Sequence, residues 1–231
     1  MTMGRTSTVV KSRYARPGSG RTTPRAHRGR AGSGSRRQIG AALRYVEMRD
    51  LGPDESAEDR ALFTAATDTV ARPQAREDLA QWVTSGVAYH SLVLSPGPAG
   101  AEMSADEMRV WTRHVMADLE QRLGGAVTWS AAVHRHTDHI HVHVIAAASR
   151  TGAGGKRQRV WLGRDDFTAM RQSGDRWADH QCRTNSLLRE AEGYAADLLR
   201  TAALILPHGG GSGRGGSSDL DEIERSQRTR R

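Results

Sequence analysis

His134–Arg135–His136–Thr137–Asp138–His139–Ile140–His141–Val142–His143–Val144–Ile145 holds five of the ten histidines of this 231-residue chain. From His139 onward, imidazoles alternate with branched aliphatics, the period of a strand with one buried face. Ile140, Val142 and Val144 then point into a core, and His139, His141 and His143 share the opposite face. Three imidazoles on an open sheet face pack poorly and ligate well. Neutral imidazole is the commonest metal-binding side chain, and alternate positions on a strand hold two ligands rigidly. The pattern marks a site.

Working outward, residues 126–134 form a second strand separated from residues 139–147 by only Arg135 to Asp138, which predicts an antiparallel hairpin. That connection sets His134 opposite His139 and on the same face as His141 and His143, completing a three-imidazole set. Three neutral nitrogens leave positions open on a divalent ion. With no carboxylate among them the ion keeps most of its charge, which suits it to polarise a phosphate oxygen, while hydroxide formation is an equal chemical possibility. His136 and Asp138, in the connection, are candidates to orient a ligand ring. His139 is open between ligand, DNA contact and strand-edge filler.

The remaining elements follow from periodicity. Residues 8–14 read as a short strand and 16–35 as a basic Gly/Ser/Pro/Arg loop. Ile39, Leu43 and Val46 recur at helix spacing over residues 38–49, with Tyr45 at the margin of that stripe. Acidic, Ala-rich residues 55–70 and residues 75–83 read as helical, 87–95 as a strand stopped by Pro96. Ser104–Ala105–Asp106–Glu107 is a capping box opening a helix with Met108, Trp111, Val115, Leu119 and Leu123 on one face. Residues 157–162 read as a strand carrying Trp161, and 164–205 as helix broken near Gly174. Trp129 and Trp161 are open between core and base-stacking roles. The order predicts an α+β domain: a central antiparallel sheet of about five strands, flanking helices, and the histidine hairpin on the open sheet face. Residues 1–37 form a basic segment that includes the first strand, 38–205 the folded domain, and 206–231 a flexible Gly/Arg-rich tail.

Charge is unevenly placed. Eleven of the 34 Lys/Arg and none of the 26 Asp/Glu fall in residues 1–44, so the net +8 comes entirely from the N-terminal part and the rest is mildly acidic. A one-sign arm on such a body is the footprint of a polyanion binder. The single Cys182 excludes an intrachain disulfide and a cysteine-rich zinc module, and fits a reducing cytoplasm. No apolar run is long enough to span a bilayer, so no membrane insertion is expected.

The spacing His134, six residues, His141, one residue, His143 resembles the three-histidine motif of the relaxases, the plasmid mobilisation nucleases among the His-hydrophobic-His endonucleases. Val9–Val10–Lys11 before a basic loop, then Ala42–Leu43–Arg44–Tyr45–Val46, is similar to that family's first strand and tyrosine helix. His90–Ser91–Leu92–Val93–Leu94–Ser95–Pro96 is similar to its second motif. The resemblance implies that Tyr45 attacks a phosphodiester of single-stranded DNA at a plasmid transfer origin in the bacterial cytoplasm, giving a 5′-phosphotyrosyl link that is later rejoined. It implies Mg²⁺ or Mn²⁺ on His134, His141 and His143, and as partners accessory relaxosome proteins and a secretion coupling protein. Lys11, Arg13, Arg36, Arg37 and Arg44 would contact the DNA, and Ser95 is open between a DNA contact and a turn cap. A phenol of pKa near about 10 needs help to ionise, and the metal field, Arg44 or another base could supply it. Tyr14, Tyr89 and Tyr194 are rival nucleophiles.

Other readings stay open here. A rolling-circle replication initiator or transposase shares this chemistry. His139–Ile140–His141–Val142–His143–Val144–Ile145 also fits the motif of the histidine-triad nucleotide hydrolases, which use the middle histidine as nucleophile without metal. A DNA-binding accessory protein with an inactive site would bind without cutting.

Overall fold

In the computed structural model the aliphatics of the quoted stretch become the inner row of a sheet. Residues 8–17, 33–48, 60–135 and 140–205 are described. Four strands, β1 (Val9–Ala15), β2 (Tyr89–Ser95), β3 (Trp129–His134) and β4 (His141–Ala147), pair antiparallel in the order β1-β2-β4-β3. Val10, Leu92, Leu94, Val142, Val144, Ala131 and Val133 are buried on one face. The histidines lie on the other, as period-two alternation demands. The basic loop expected over 16–35 falls mostly, and the tail from 206 on wholly, outside the described residues, as do His136, Asp138 and His139.

The main sheet has four strands, and the further strand expected over 157–162 is shorter and lies elsewhere. Its ordered part, β6 (Arg157–Arg159), pairs with β5 (Ser149–Thr151) in a separate two-stranded ribbon, and Trp161 lies beyond it. The helix expected over 55–70 is corrected for its described part: residues 60–70 are irregular. Phe63 instead exchanges both backbone hydrogen bonds with Ala131 (2.8 and 2.9 Å), covering part of the outer edge of β3. An edge strand's open N–H and C=O groups reward such pairing more than a helix rewards an Ala-rich composition.

Helix α1 (Ser33–Met48) begins earlier than expected and buries Ile39, Leu43 and Val46. Each such side chain contributes about 1.5–3 kcal/mol. Helix α2 (Arg72–Ala80) lies beside it, tied by Arg72–Glu47 (3.0 Å) and Arg36–Glu77 (3.1 Å) ion pairs. In α3 (Ala105–Leu123) the capping box forms as read: the Ser104 hydroxyl accepts from Glu107 N, and the Glu107 carboxylate accepts from Ser104 N. Gly124, in the left-handed region at φ 77°, ends the helix, a conformation that costs glycine least.

Helix α4 (Arg164–Ile205) runs through Gly174 without the expected break. Glycine is needed there for close approach, since a Cβ would stand 2.5 Å from the Thr8 side chain. The Gly174 carbonyl also accepts from Trp111 Nε1 (3.0 Å). The chain divides into two compact units, one to Ser186 and one from Leu187. The first holds the sheet, α1–α3 and the start of α4. In the described part of the second, a helix exposes Leu187, Leu188, Tyr194, Leu198 and Leu199. No helix among the described residues is long and apolar enough to cross a membrane.

Arg150 finishes the end of α3. Its buried guanidinium donates to the carbonyls of Leu123, Gly124 and Thr151, satisfying helix-end acceptors and meeting the negative end of the helix dipole. Arg150→Ala should lower unfolding free energy by about 2–3 kcal/mol. Arg150→Lys, lacking the planar fork, should recover less than half of it in urea melts.

His90 is buried and its Nε2 lies 3.2 Å from the Val160 carbonyl. Burial holds its pKa below the ordinary imidazole value. The unfolded chain therefore binds this proton first, so the contribution is whole above about pH 6.5 and fades as pH falls below it. His90→Gln should flatten that part of the stability-pH curve.

Candidate metal and phosphate site

The hairpin register decides the site. His134, the last residue of β3, pairs directly with His141, the first of β4, and His143 pairs with Ala132. The expected partner of His134 was His139; the observed one is two residues on. A shift of two leaves every side chain on its original face, so the three-imidazole set forms as read although the connection is longer. The ring centroids stand 5.1 Å (His134–His141), 4.7 Å (His134–His143) and 4.9 Å (His141–His143) apart. One nitrogen from each lies within 4.8 Å of the others, close enough to converge on a single cation.

The three are not equivalent. His134 is only 1% exposed, while His141 and His143 are half-buried. Nε2 of His134 lies 2.7 Å from the Val46 carbonyl oxygen of α1. A carbonyl can only accept, so this nitrogen carries the proton and Nδ1 carries the lone pair. The bond fixes tautomer and ring orientation, as a hydrogen-bond partner behind a metal ligand does. Sequence reasoning found Val46 only as a core residue; no pattern announces a backbone carbonyl that serves a ligand.

Tyr45 precedes Val46 and is turned away from the buried stripe. It is 48% exposed and meets His143 edge-on, with ring centroids 6.3 Å apart. Thus the fold brings together a tyrosine and histidines that lie about 90 residues apart in the sequence. The rivals are less well placed. Tyr14 lies on the other sheet face, cross-strand from His90. Tyr89 shares the histidine face but pairs with Ala147, four residues beyond His143, and burial raises its pKa. Tyr194 belongs to the second unit.

Among the cations, Lys11 and Arg13 are exposed on β1. Lys11 pairs with Val93, which pairs with His143, placing Lys11 two strand spacings, about 10 Å, from that histidine's backbone. Arg44, adjacent to Tyr45 in sequence, and Arg37, more than two turns earlier, are exposed on α1, whereas Arg36 is engaged by Glu77. Ser95 is buried, donating to Ile140 O (2.7 Å) and accepting from Gly97 N (3.3 Å). It pins the residue that leads into His141. Trp129 is core at 3% exposure, and Trp161 is 71% exposed.

The donor set fits a divalent cation: three converging imidazoles, one with its tautomer imposed. Removing a ligand should cost more than the roughly 10- to 100-fold typical of losing the partner behind one. Titration calorimetry with Mn²⁺ should therefore show weakening beyond 100-fold in both His141→Ala and His143→Ala, with melting temperatures near wild type in the absence of metal.

No family model and no curated protein sequence matches this chain. Solved structures do. One, described as the molecular basis of vancomycin resistance transfer in Staphylococcus aureus, is similar over 78% of this chain and 94% of its own, with 8% identity and TM-score 0.45. The conjugative relaxase TrwC in complex with oriT DNA is similar in metal-bound form over 76% of this chain and 70% of its own (13% identity, TM-score 0.48). Its metal-free form has the same coverage (12% identity, TM-score 0.45). In fold outline the chain is similar to these structures.

Proposed function

We propose that this chain is a DNA strand transferase of the relaxase kind: it nicks one strand at a plasmid transfer origin, holds the new end on Tyr45, and later rejoins it. The observation that carries the proposal is the edge-on approach of Tyr45 to His143 within the three-histidine cluster. An accessible phenol beside a ligand set and a cationic rim is what attack on a phosphodiester needs.

In this reading His134, His141 and His143 hold Mg²⁺ or Mn²⁺, which supplies charge to offset that growing on the non-bridging phosphate oxygens. The chain's own groups do the rest. The Tyr45 oxygen forms a bond to phosphorus as the bond from phosphorus to the 3′ oxygen breaks, and the departing oxygen takes up a proton to become a 3′-hydroxyl. The phosphoryl group stays on Tyr45 as a 5′-phosphotyrosyl ester, so its bond energy is kept for the reverse attack. Lys11, Arg13, Arg37 and Arg44 grip flanking phosphates. Ionisation of the Tyr45 phenol falls to the metal field, to Arg44 or to another base. Ser95 acts indirectly, by holding Ile140 and hence His141. His136, Asp138 and His139 keep their assigned auxiliary roles, orienting a ligand ring or touching DNA. The proposed setting is a cytoplasmic relaxosome with accessory proteins and a secretion coupling protein.

The test incubates the protein with single-stranded oligonucleotides tiling the DNA that flanks its coding sequence, with Mg²⁺ or Mn²⁺. An adduct stable in SDS should form on one strand only, vanish with EDTA, and fall by about 10⁴-fold or more in Tyr45→Phe. Tyr14→Phe and Tyr89→Phe should keep it. Adduct retained in Tyr45→Phe would sink the proposal. So would metal-independent turnover of a nucleoside phosphoramidate lost in His141→Ala, which is the histidine-triad chemistry. Binding with no cleavage of any tile would assign the accessory role.

A further inference from the structure

A second feature lies on the sheet face opposite the histidines. Residues of β1, β2 and the segment after β6 enclose a cavity of about 710 Å³, within the size range of built ligand sites. Tyr14 and Trp161 line it and are 59% and 71% exposed. Large aromatics so exposed are expensive as surface and useful as stacking platforms. Arg13, Arg16 and Arg159 line the same cavity, and no Asp or Glu does among the described residues.

The wall carrying Trp161 is fixed rather than loose. Val160, buried at 2%, donates from its N–H to Ala148 O (2.9 Å) and accepts at its carbonyl from His90 Nε2 (3.2 Å). His90 itself sits on β2 directly opposite Tyr14. Strand β2 thus carries both aromatic walls, Tyr14 through backbone pairing and the Trp161 segment through the His90 ring. Arg159 reaches into the cavity over Gly86, where a Cβ would stand 3.3 Å from its Nη2; a side chain there would crowd the guanidinium.

We propose that this groove binds a stretch of single-stranded DNA, with a base stacked on Trp161 or Tyr14 and the flanking phosphates on Arg13, Arg16 and Arg159. Aromatic faces interleaved with guanidiniums match a strand's alternation of flat apolar bases and anionic links. A peptide or lipid surface offers no such alternation. Lys11, Arg13 and Arg16 run along edge strand β1 from the histidine side to this groove. A strand can thus pass around the sheet edge, leaving one part at Tyr45 and another here. The groove stands on its own observations, so it survives even where the nicking proposal fails.

The experiment uses the full chain and a 5′-labelled oligo-dT. Trp161→Ala should weaken binding roughly 5- to 100-fold, and Tyr14→Ala should weaken it in the same direction. Oligo-dT should quench tryptophan emission in wild type, with that quenching reduced in Trp161→Phe. Arg159→Ala should flatten the slope of log affinity against log salt by about 0.7. Arg200→Ala, at an exposed guanidinium of the second unit, should leave all of these unchanged, separating the groove from loss of surface charge in general. Wild-type affinity in both aromatic variants overturns the proposal. So does competition by dTMP at the same concentration as the strand, which would mark a mononucleotide pocket. Trp161-dependent sedimentation with anionic vesicles, in the absence of oligo-dT quenching, would assign the groove to membrane instead.

Discussion

The pairing of His134 with His141 is the constraint on which the site depends. Two imidazoles directly opposite on an antiparallel pair stand as near as strand geometry allows, and the third follows two residues along the same face. A one-residue slip in β3 against β4 would send Val133 to the histidine face and His134 into the core. Burial of Val133, Val142 and Val144 on the other face makes that slip costly. The same aliphatics that hold the sheet together therefore hold the ligand geometry.

A hydrogen bond joins this sheet to the helix that carries the tyrosine. The Val46 carbonyl receives the His134 ring, and the Val46 side chain is one of three that seat α1. Successive helical residues are rotated by about 100°, so a buried Val46 leaves Tyr45 facing out toward His143. Core packing, tautomer choice and tyrosine placement are three consequences of one helix seat.

Much of this was legible in the sequence because the signals were local. Alternation in residues 139–145, the capping box at Ser104 and the apolar stripe of α1 each depend on neighbours within a turn or a pleat. What escaped depended on partners far along the chain. Residues 60–70 look helical by composition, yet Phe63 pairs with Ala131. Gly174 looks like a breaker, yet it makes room for Thr8. The choice of His141 over His139 as partner for His134 turns on connection length, which the spacing of imidazoles does not specify. By pattern Ser95 is open between donating to DNA and capping a turn; within the fold its hydroxyl donates to Ile140 O and accepts from Gly97 N. Trp129 and Trp161 were indistinguishable by pattern and are opposite in burial.

Electrostatics completes the reasoning. Glu47 lies two residues from Tyr45, and Glu77 on α2 is near α1; carboxylates there would repel a phosphate. Arg72 pairs with Glu47, and Arg36 and Arg76 both reach Glu77. Pairs this exposed contribute little stability, so their consequence is in the field rather than the fold. They neutralise the acids on the α1–α2 side and leave Arg37 and Arg44 to set the sign around Tyr45. Arg36 is thus engaged by a carboxylate, unlike the exposed Arg37 and Arg44. At low ionic strength, where the Debye length is longest, that local balance reaches furthest from the protein.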